Sequence, residues 1–347
     1  MSEPRIIHAV DLHTAGEPVR IFERGYPVLE GATILAKRRD ALARFDDLRR
    51  MLMLEPRGHG GMYGVIPVEP GDPSADLAVL FTHQEGYSTM CGHATIAIGR
   101  WAVDTGQVAA TDGRARFALE APCGVVQVEV DLAEEGGVPL VAFESVAAFA
   151  SHRDLTVEVS GHGMVAFDIA FGGAYYAILP ASRIGLSLME TPLGDLVAAG
   201  VAITDAVRAA VPITHPTEPD LGFLYGTILT DDVPLGDHGG RPSYNLCIFA
   251  EGQIDRSPTG SGVTARLALA AAQGALAVGQ SCEIRGVSGE GFVGTLARHD
   301  PAAGVSRVRV AGRSYYAARS EFIAEAADRF AYGFELPGRL GDLERGQ

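Results

Sequence analysis

Of the 28 basic residues in this chain only one is a lysine, Lys37. A pyridoxal phosphate enzyme holds its cofactor through a lysine Schiff base. Lys37 lies in the charged run AKRRD, which reads as solvated surface, so amino-acid chemistry is expected to proceed without that cofactor. Cysteine is scarce too. Cys91, Cys123, Cys247 and Cys282 make no CxxC pair, and their wide spacing describes no disulfide framework, so a reducing cytoplasm is the expected setting. The opening MSEPRIIHAVDLH has no apolar signal core. The most apolar run, LALAAAQGALAVG, is too short and too interrupted to cross a bilayer. GHGGMYG and GSGVTA do not give GxGxxG spacing after a clear strand, and no GK[ST], HExxH, clustered Cys/His or GxSxG pattern occurs. No metal and no bound cofactor are therefore expected. A formal charge of −15 argues against nucleic acid or an anionic membrane as partner, although local donors can still hold a small anion.

Apolar residues make up 47% of the 347 and charged residues 20%, a globular balance, and at roughly 150 residues per domain the length suggests two domains. An internal repeat supports this. CGHATIAIGRWAVDTG (91–106) and TGSGVTARLALAAAQG (259–274) each begin with a small nucleophile-type side chain and glycine. Both run through Ala-rich helical sequence to a glycine fifteen residues on, the residue that favours a left-handed helix end. DLHTAGEPVRI (11–21) resembles DIAFGGAYYAI (168–178), and APCGVVQVEV resembles SGEGFVGTLA with Gly124 against Gly291. The expected fold is α/β (α+β), with two pseudo-symmetric halves. Each is a strand-rich wrap around a buried, nearly all-apolar central helix, with the site in the cleft between them. The halves are expected at 1–155 and 156–347, the C-terminal segment packing back on the first. EEGGVP, EPRGHGGMYG and LGDHGGRPS read as turns, and the polar end LPGRLGDLERGQ as partly disordered.

A helix start leaves backbone N–H groups unpaired and carries partial positive charge. Two such starts facing each other make an anion site without lysine or arginine. The amides of Gly92, His93, Gly260 and Ser261 are the candidates to hold a carboxylate, and the same positive end should favour a thiolate at Cys91. Each residue alone has an ordinary reading: Cys91 as a buried hydrophobe, Thr259 as an N-cap, His93 as a structural hydrogen-bonding residue, Asp255 as a turn aspartate. Their recurrence at matched helix starts favours function.

DLHTAGEPVR, EPRGHGGMYG, MCGHATIAIGR and DRSPTGSGVTAR resemble the signature blocks of the proline racemase family, over most of the chain. The resemblance implies a diaminopimelate epimerase-like fold. The racemases and 4-hydroxyproline epimerases of that family carry a cysteine in both blocks, one taking the α-proton and the other delivering a proton to the opposite face. Here Thr259 replaces the second, and the Cys91/Thr259 pair resembles the trans-3-hydroxy-L-proline dehydratase subgroup. This implies cofactor-independent conversion to Δ1-pyrroline-2-carboxylate and water, with Cys91 as base and Thr259 as its counterpart. Gly92, His93, Asp255, Gly260 and Ser261 are then implied to bind a small proline-like imino acid. Epimerisation, or silent binding of proline-like amino acids, remains the alternative, and a homodimer is left open.

Overall fold

The computed structural model describes residues 4–133, 137–236 and 240–336. Parts of EEGGVP and LGDHGGRPS, and the polar end beyond Leu336, lie outside the described residues. Two runs of elements follow one another. The first comprises β1 (Arg5–Thr14), β2 (Glu17–Arg24), α1 (Ile34–Met53), β3 (Tyr63–Val68), β4 (Leu77–His83), β5 (Tyr87–Ser88), α2 (Gly92–Asp104), β6 (Arg114–Ala121), β7 (Gly124–Asp131), β8 (Leu140–Glu144) and β9 (Ala148–Val159). The second repeats that order as β10 (Gly163–Phe171), β11 (Tyr175–Pro180), α3 (Leu193–Ala210), β12 (Leu224–Thr230), β13 (Ser243–Phe249), β14 (Gln253–Ile254), α4 (Gly260–Ala272), β15 (Ser281–Arg285), β16 (Gly291–Asp300), β17 (Val305–Gly312) and β18 (Ser314–Ala324).

The pairings repeat as well. β2 runs parallel to β3 as β11 does to β12, and β4 parallel to β6 as β13 does to β15. The last strand of each run pairs with the other half. β9 pairs antiparallel with β10, and β18 closes onto β1 from Arg5↔Ala324 to Thr14↔Ser314. β8 and β17 pair with each other, so one 18-stranded sheet runs through both halves.

The strands show why the helices sit inside. In β7, Val126, Val128 and Val130 are buried while Gln127 is exposed, the period of two that turns one face of a sheet inward. α2 fills that interior with Ala94, Ile96, Ala97, Ile98, Trp101 and Ala102, packed against β1, β2, β7, β8 and β18. α4, buried from Gly260 to Ala271, is wrapped by β9, β10, β11, β16 and β17. At roughly 25 cal/mol per Å2, burial of such all-apolar helices is the main force holding each wrap closed. Both helices end as their sequences suggest, with Gly106 and Gly274 just past the caps at φ +74° and +72°. Lys37 departs from its surface reading. It is 7% exposed, on the α1 face that also buries Ile34, Ala41 and Leu48, and its Nζ donates to the Glu69 carbonyl at 2.8 Å. A three- and four-residue spacing carries it to the sheet side, where a backbone acceptor satisfies the ammonium. No helix among the described residues is long and apolar enough to cross a membrane.

Candidate active site

α2 and α4 meet start to start. A Cβ built on Gly92 would fall 2.4 Å from the Gly260 Cα, and one on Gly260 would fall 2.7 Å from the Gly92 Cα, so only glycines permit this approach. The unpaired first-turn N–H groups of both helices therefore open into one small cavity. Cys91, Gly92, His93, Asp255, Thr259 and Ser261 line it, with Glu17, Tyr63, Met90, Tyr176, Tyr225, Cys247 and Phe249. Gly260 is not on its surface and lies beneath, against Gly92. The space left is about 20 Å3, room for a single water and less than a proline ring occupies.

Cys91 is the N-cap of α2 and makes no side-chain capping bond. Its Sγ lies 3.2 Å from His93 Nδ1, and His93 Nδ1 lies 3.9 Å from Asp255 Oδ2, so His93 stands between the thiol and the carboxylate. Burial pushes the Cys91 thiol well above its ordinary range, which the Ala94 amide and the Tyr63 hydroxyl oppose. The expected thiolate-favouring effect of the helix start is present, but desolvation in the closed cleft outweighs it. Burial lowers the His93 pKa, against the pull of Asp255, so its imidazole is neutral at pH 7. His93 is fixed by its own backbone, whose carbonyl accepts the Thr14 hydroxyl at 2.9 Å.

On the other side, Thr259 is the N-cap of α4 in position only. Its φ of +63° is unusual for a β-branched residue, and its side chain makes no capping bond. The Thr259 hydroxyl is buried without a standard hydrogen-bond partner and lies beside the Cys247 thiol, which it helps to stabilise as thiolate against a larger burial effect. The turn is held from below. The Ser257 amide donates to Asp255 Oδ1 at 2.8 Å, the Thr259 amide to Ser257 Oγ at 3.1 Å, and Asn245 Nδ2 to the Pro258 carbonyl at 2.9 Å. Arg266, nearly two helical turns into α4, clamps Asn245 Oδ1 at 3.0 Å. Ser261 Oγ is tied to the Tyr176 hydroxyl at 2.7 Å.

Glu17 escaped the sequence reading. It opens β2 after the Ala15–Gly16 turn, and its Oε2 accepts the Arg256 amide at 2.7 Å while Oε1 is buried with no partner. Its position in GEP, at the end of a strand-like block, was the only available signal. Tyr63, Tyr176, Tyr225 and Cys247 come from strands and were equally hidden. Among the described residues no group of three or more His, Cys, Asp or Glu is placed to hold a metal ion.

The arrangement can hold a carboxylate on amides, a cation on Asp255, and a proton acceptor at Cys91. Known proteins are similar to this chain over nearly its whole length. A human protein named trans-3-hydroxy-L-proline dehydratase is 44% identical over 337 residues, 95% of each chain. One of the same name from Colwellia psychrerythraea is 41% identical over 95% of this chain and 92% of its own. The crystal structure of a probable proline racemase from Agrobacterium radiobacter, with bound carbonate, superposes with a TM-score of 0.87 at 25% identity, covering 95% of this chain and 96% of that one. The proline racemase family model matches residues 9–335, both helix starts and the cavity between them included, and the chain belongs to that family.

Proposed function

We propose that this protein is a hydro-lyase that converts trans-3-hydroxy-L-proline to Δ1-pyrroline-2-carboxylate and water without a cofactor. The observation that carries the reading is the inequality of two facing helix starts, a thiol at Cys91 and an alcohol at Thr259. The names of relatives above 40% identity over nearly the whole length support it.

The substrate carboxylate takes the first-turn amides of Gly92, His93 and Ser261, where backbone dipoles replace its water, while Gly260 beneath lets the two helix starts meet. Its ring ammonium faces Asp255, with neutral His93 beside it. Cys91 removes the α-proton. Substrate binding brings a cation next to the thiol and so favours the thiolate that burial disfavours in the empty cleft. A racemase needs a second group that exchanges protons near neutral pH, and a threonine hydroxyl is a poor acid there and a poorer base. With reprotonation from the far side slow, the electron pair left at Cα expels the 3-hydroxyl. In the trans isomer that hydroxyl lies opposite the carboxylate, on the ring face of the α-hydrogen, and leaves on the Cys91 side. The enamine then tautomerises to the cyclic imine. Thr259 orients the ring. The alternative, slow epimerisation, has one observation in its favour: Cys247 is a second thiol lining the cavity, beside Thr259. Proton NMR in D2O with L-proline and the 3- and 4-hydroxyproline isomers separates the two. Loss of the trans-3-hydroxy isomer with imine formation is expected, and deuterium at Cα with inversion and no imine would replace this reading with epimerisation.

A further inference from the structure

Resting on that reading, we propose that Glu17 is the general acid that protonates the departing 3-hydroxyl. Among the described residues, only two of the buried polar atoms without a hydrogen-bond partner belong to residues lining the cavity: Thr259 Oγ1 and Glu17 Oε1. Thr259 is in the half opposite Cys91. Glu17 is in the same half as Cys91, on a strand packed against α2, and its carboxyl lies in the shared cavity, near enough to raise the Cys91 thiol. Its other oxygen is engaged by the Arg256 amide, with Arg256 Nη1 at 3.5 Å, so the free oxygen is held still. The corresponding turn of the second half, Phe171-Gly172-Gly173-Ala174-Tyr175, carries no carboxylate. Two symmetry breaks thus coincide: an alcohol in place of a thiol on one side, and a carboxylic acid on the other. Burial first, and the neighbouring Asp255 second, raise the Glu17 carboxyl well above its ordinary range, which favours its protonated form.

The step balances. The Cα–H bond breaks and the Cys91 S–H bond forms. Its electron pair becomes the Cα–C3 double bond, the C3–O pair goes to oxygen, and the Glu17 O–H proton completes water. The site is left with a thiol and a Glu17 carboxylate. These groups are close enough to feel each other's charge, and return of one proton from thiol to carboxylate restores the starting state.

The test uses a leaving group that needs no proton. Wild-type protein, Glu17→Gln and Glu17→Asp are each given trans-3-hydroxy-L-proline and trans-3-fluoro-L-proline, with imine and fluoride release measured. Wild type is expected to eliminate from both. Glu17→Gln should lose about 100-fold or more on the hydroxy substrate, in the range of general acid catalysis, yet stay within about threefold on the fluoro substrate. Glu17→Asp, which keeps an acid one methylene further back, should lose about tenfold on the hydroxy substrate alone, and serves if the amide variant does not fold. Equal losses on both substrates would make Glu17 structural, and no loss on either, or no fluoride release by wild type, would equally overturn the assignment. Wild type inactive on the hydroxy substrate would instead sink the dehydratase reading.

Discussion

Thr259 occupies a backbone conformation that a β-branched side chain adopts only at a cost on the order of 1–3 kcal/mol, and its hydroxyl is left unbonded. Cysteine, unbranched at Cβ, suits that φ better, so Thr259→Cys should match or exceed the wild-type melting temperature. It would also place a second thiol at a helix start, facing Cys91. The variant is expected to gain deuterium at Cα of proline with inversion, read by NMR and chiral chromatography, and to lose part of its dehydratase rate as reprotonation competes with loss of the hydroxyl. A folded Thr259→Cys that binds proline without exchange would mean that ring placement, not this side chain, chooses the reaction. Cys91→Ala should reduce turnover on the order of 10²–10⁴-fold while leaving the unfolding midpoint nearly unchanged, and a variant retaining a tenth of the wild-type rate would rule Cys91 out as base.

Elements position these residues more than they supply them. The glycine contact between α2 and α4 brings two sets of amides to one carboxylate, and a methyl on either glycine would collide with backbone that cannot yield. Gly260→Ala should cost about 1–3 kcal/mol in denaturant unfolding and, by displacing the helix starts, about 100-fold in kcat/KM. A variant with wild-type stability and rate would mean the contact opens in solution. What could be read from sequence follows the same division. Cys91, Thr259 and their flanking glycines were legible because a helix start has local signals, a small residue, a glycine and an apolar run, and because the pattern occurs twice. Asp255 came with its block. Glu17, Tyr63, Tyr176, Tyr225 and Cys247 were not, because a strand residue facing a cleft and one facing a core share the same alternation. Lys37 misled for a related reason: a charged run says nothing about which of its members finds a buried carbonyl. Nor does any local pattern announce that β9 and β18 will close the half to which they do not belong.

The whole molecule is closed around its site. Arg256 reaches the carbonyl of Gly61 at 3.1 Å, Ser288 that of Ala15 at 2.7 Å, and Gln253 meets Gln84 at 2.8 Å, each joining one half to the other. Cys91 is buried, 5% exposed. Its thiol is held above the ordinary range by burial, so the reactive thiolate becomes more populated as pH rises. Alkylation by iodoacetamide should therefore be slow at pH 7.5, faster at pH 9, and suppressed by pyrrole-2-carboxylate, with labelling at Cys91 read by peptide mass spectrometry. Rapid, pH-independent labelling would mean an open cleft with an ionised thiol.

The exchange of final strands bears on how such a molecule could arise. A single ancestral unit would have lacked a strand along its first edge and carried one with nowhere to pair at home. It would have been complete only as a swapped dimer, each subunit lending its last strand to the other. Tandem duplication would then turn a loan between molecules into one within a chain. In the symmetric ancestor any change at a helix start appeared on both sides of the cleft at once. After such a fusion the two copies could differ, so that one helix start could lose its thiol while the other kept it.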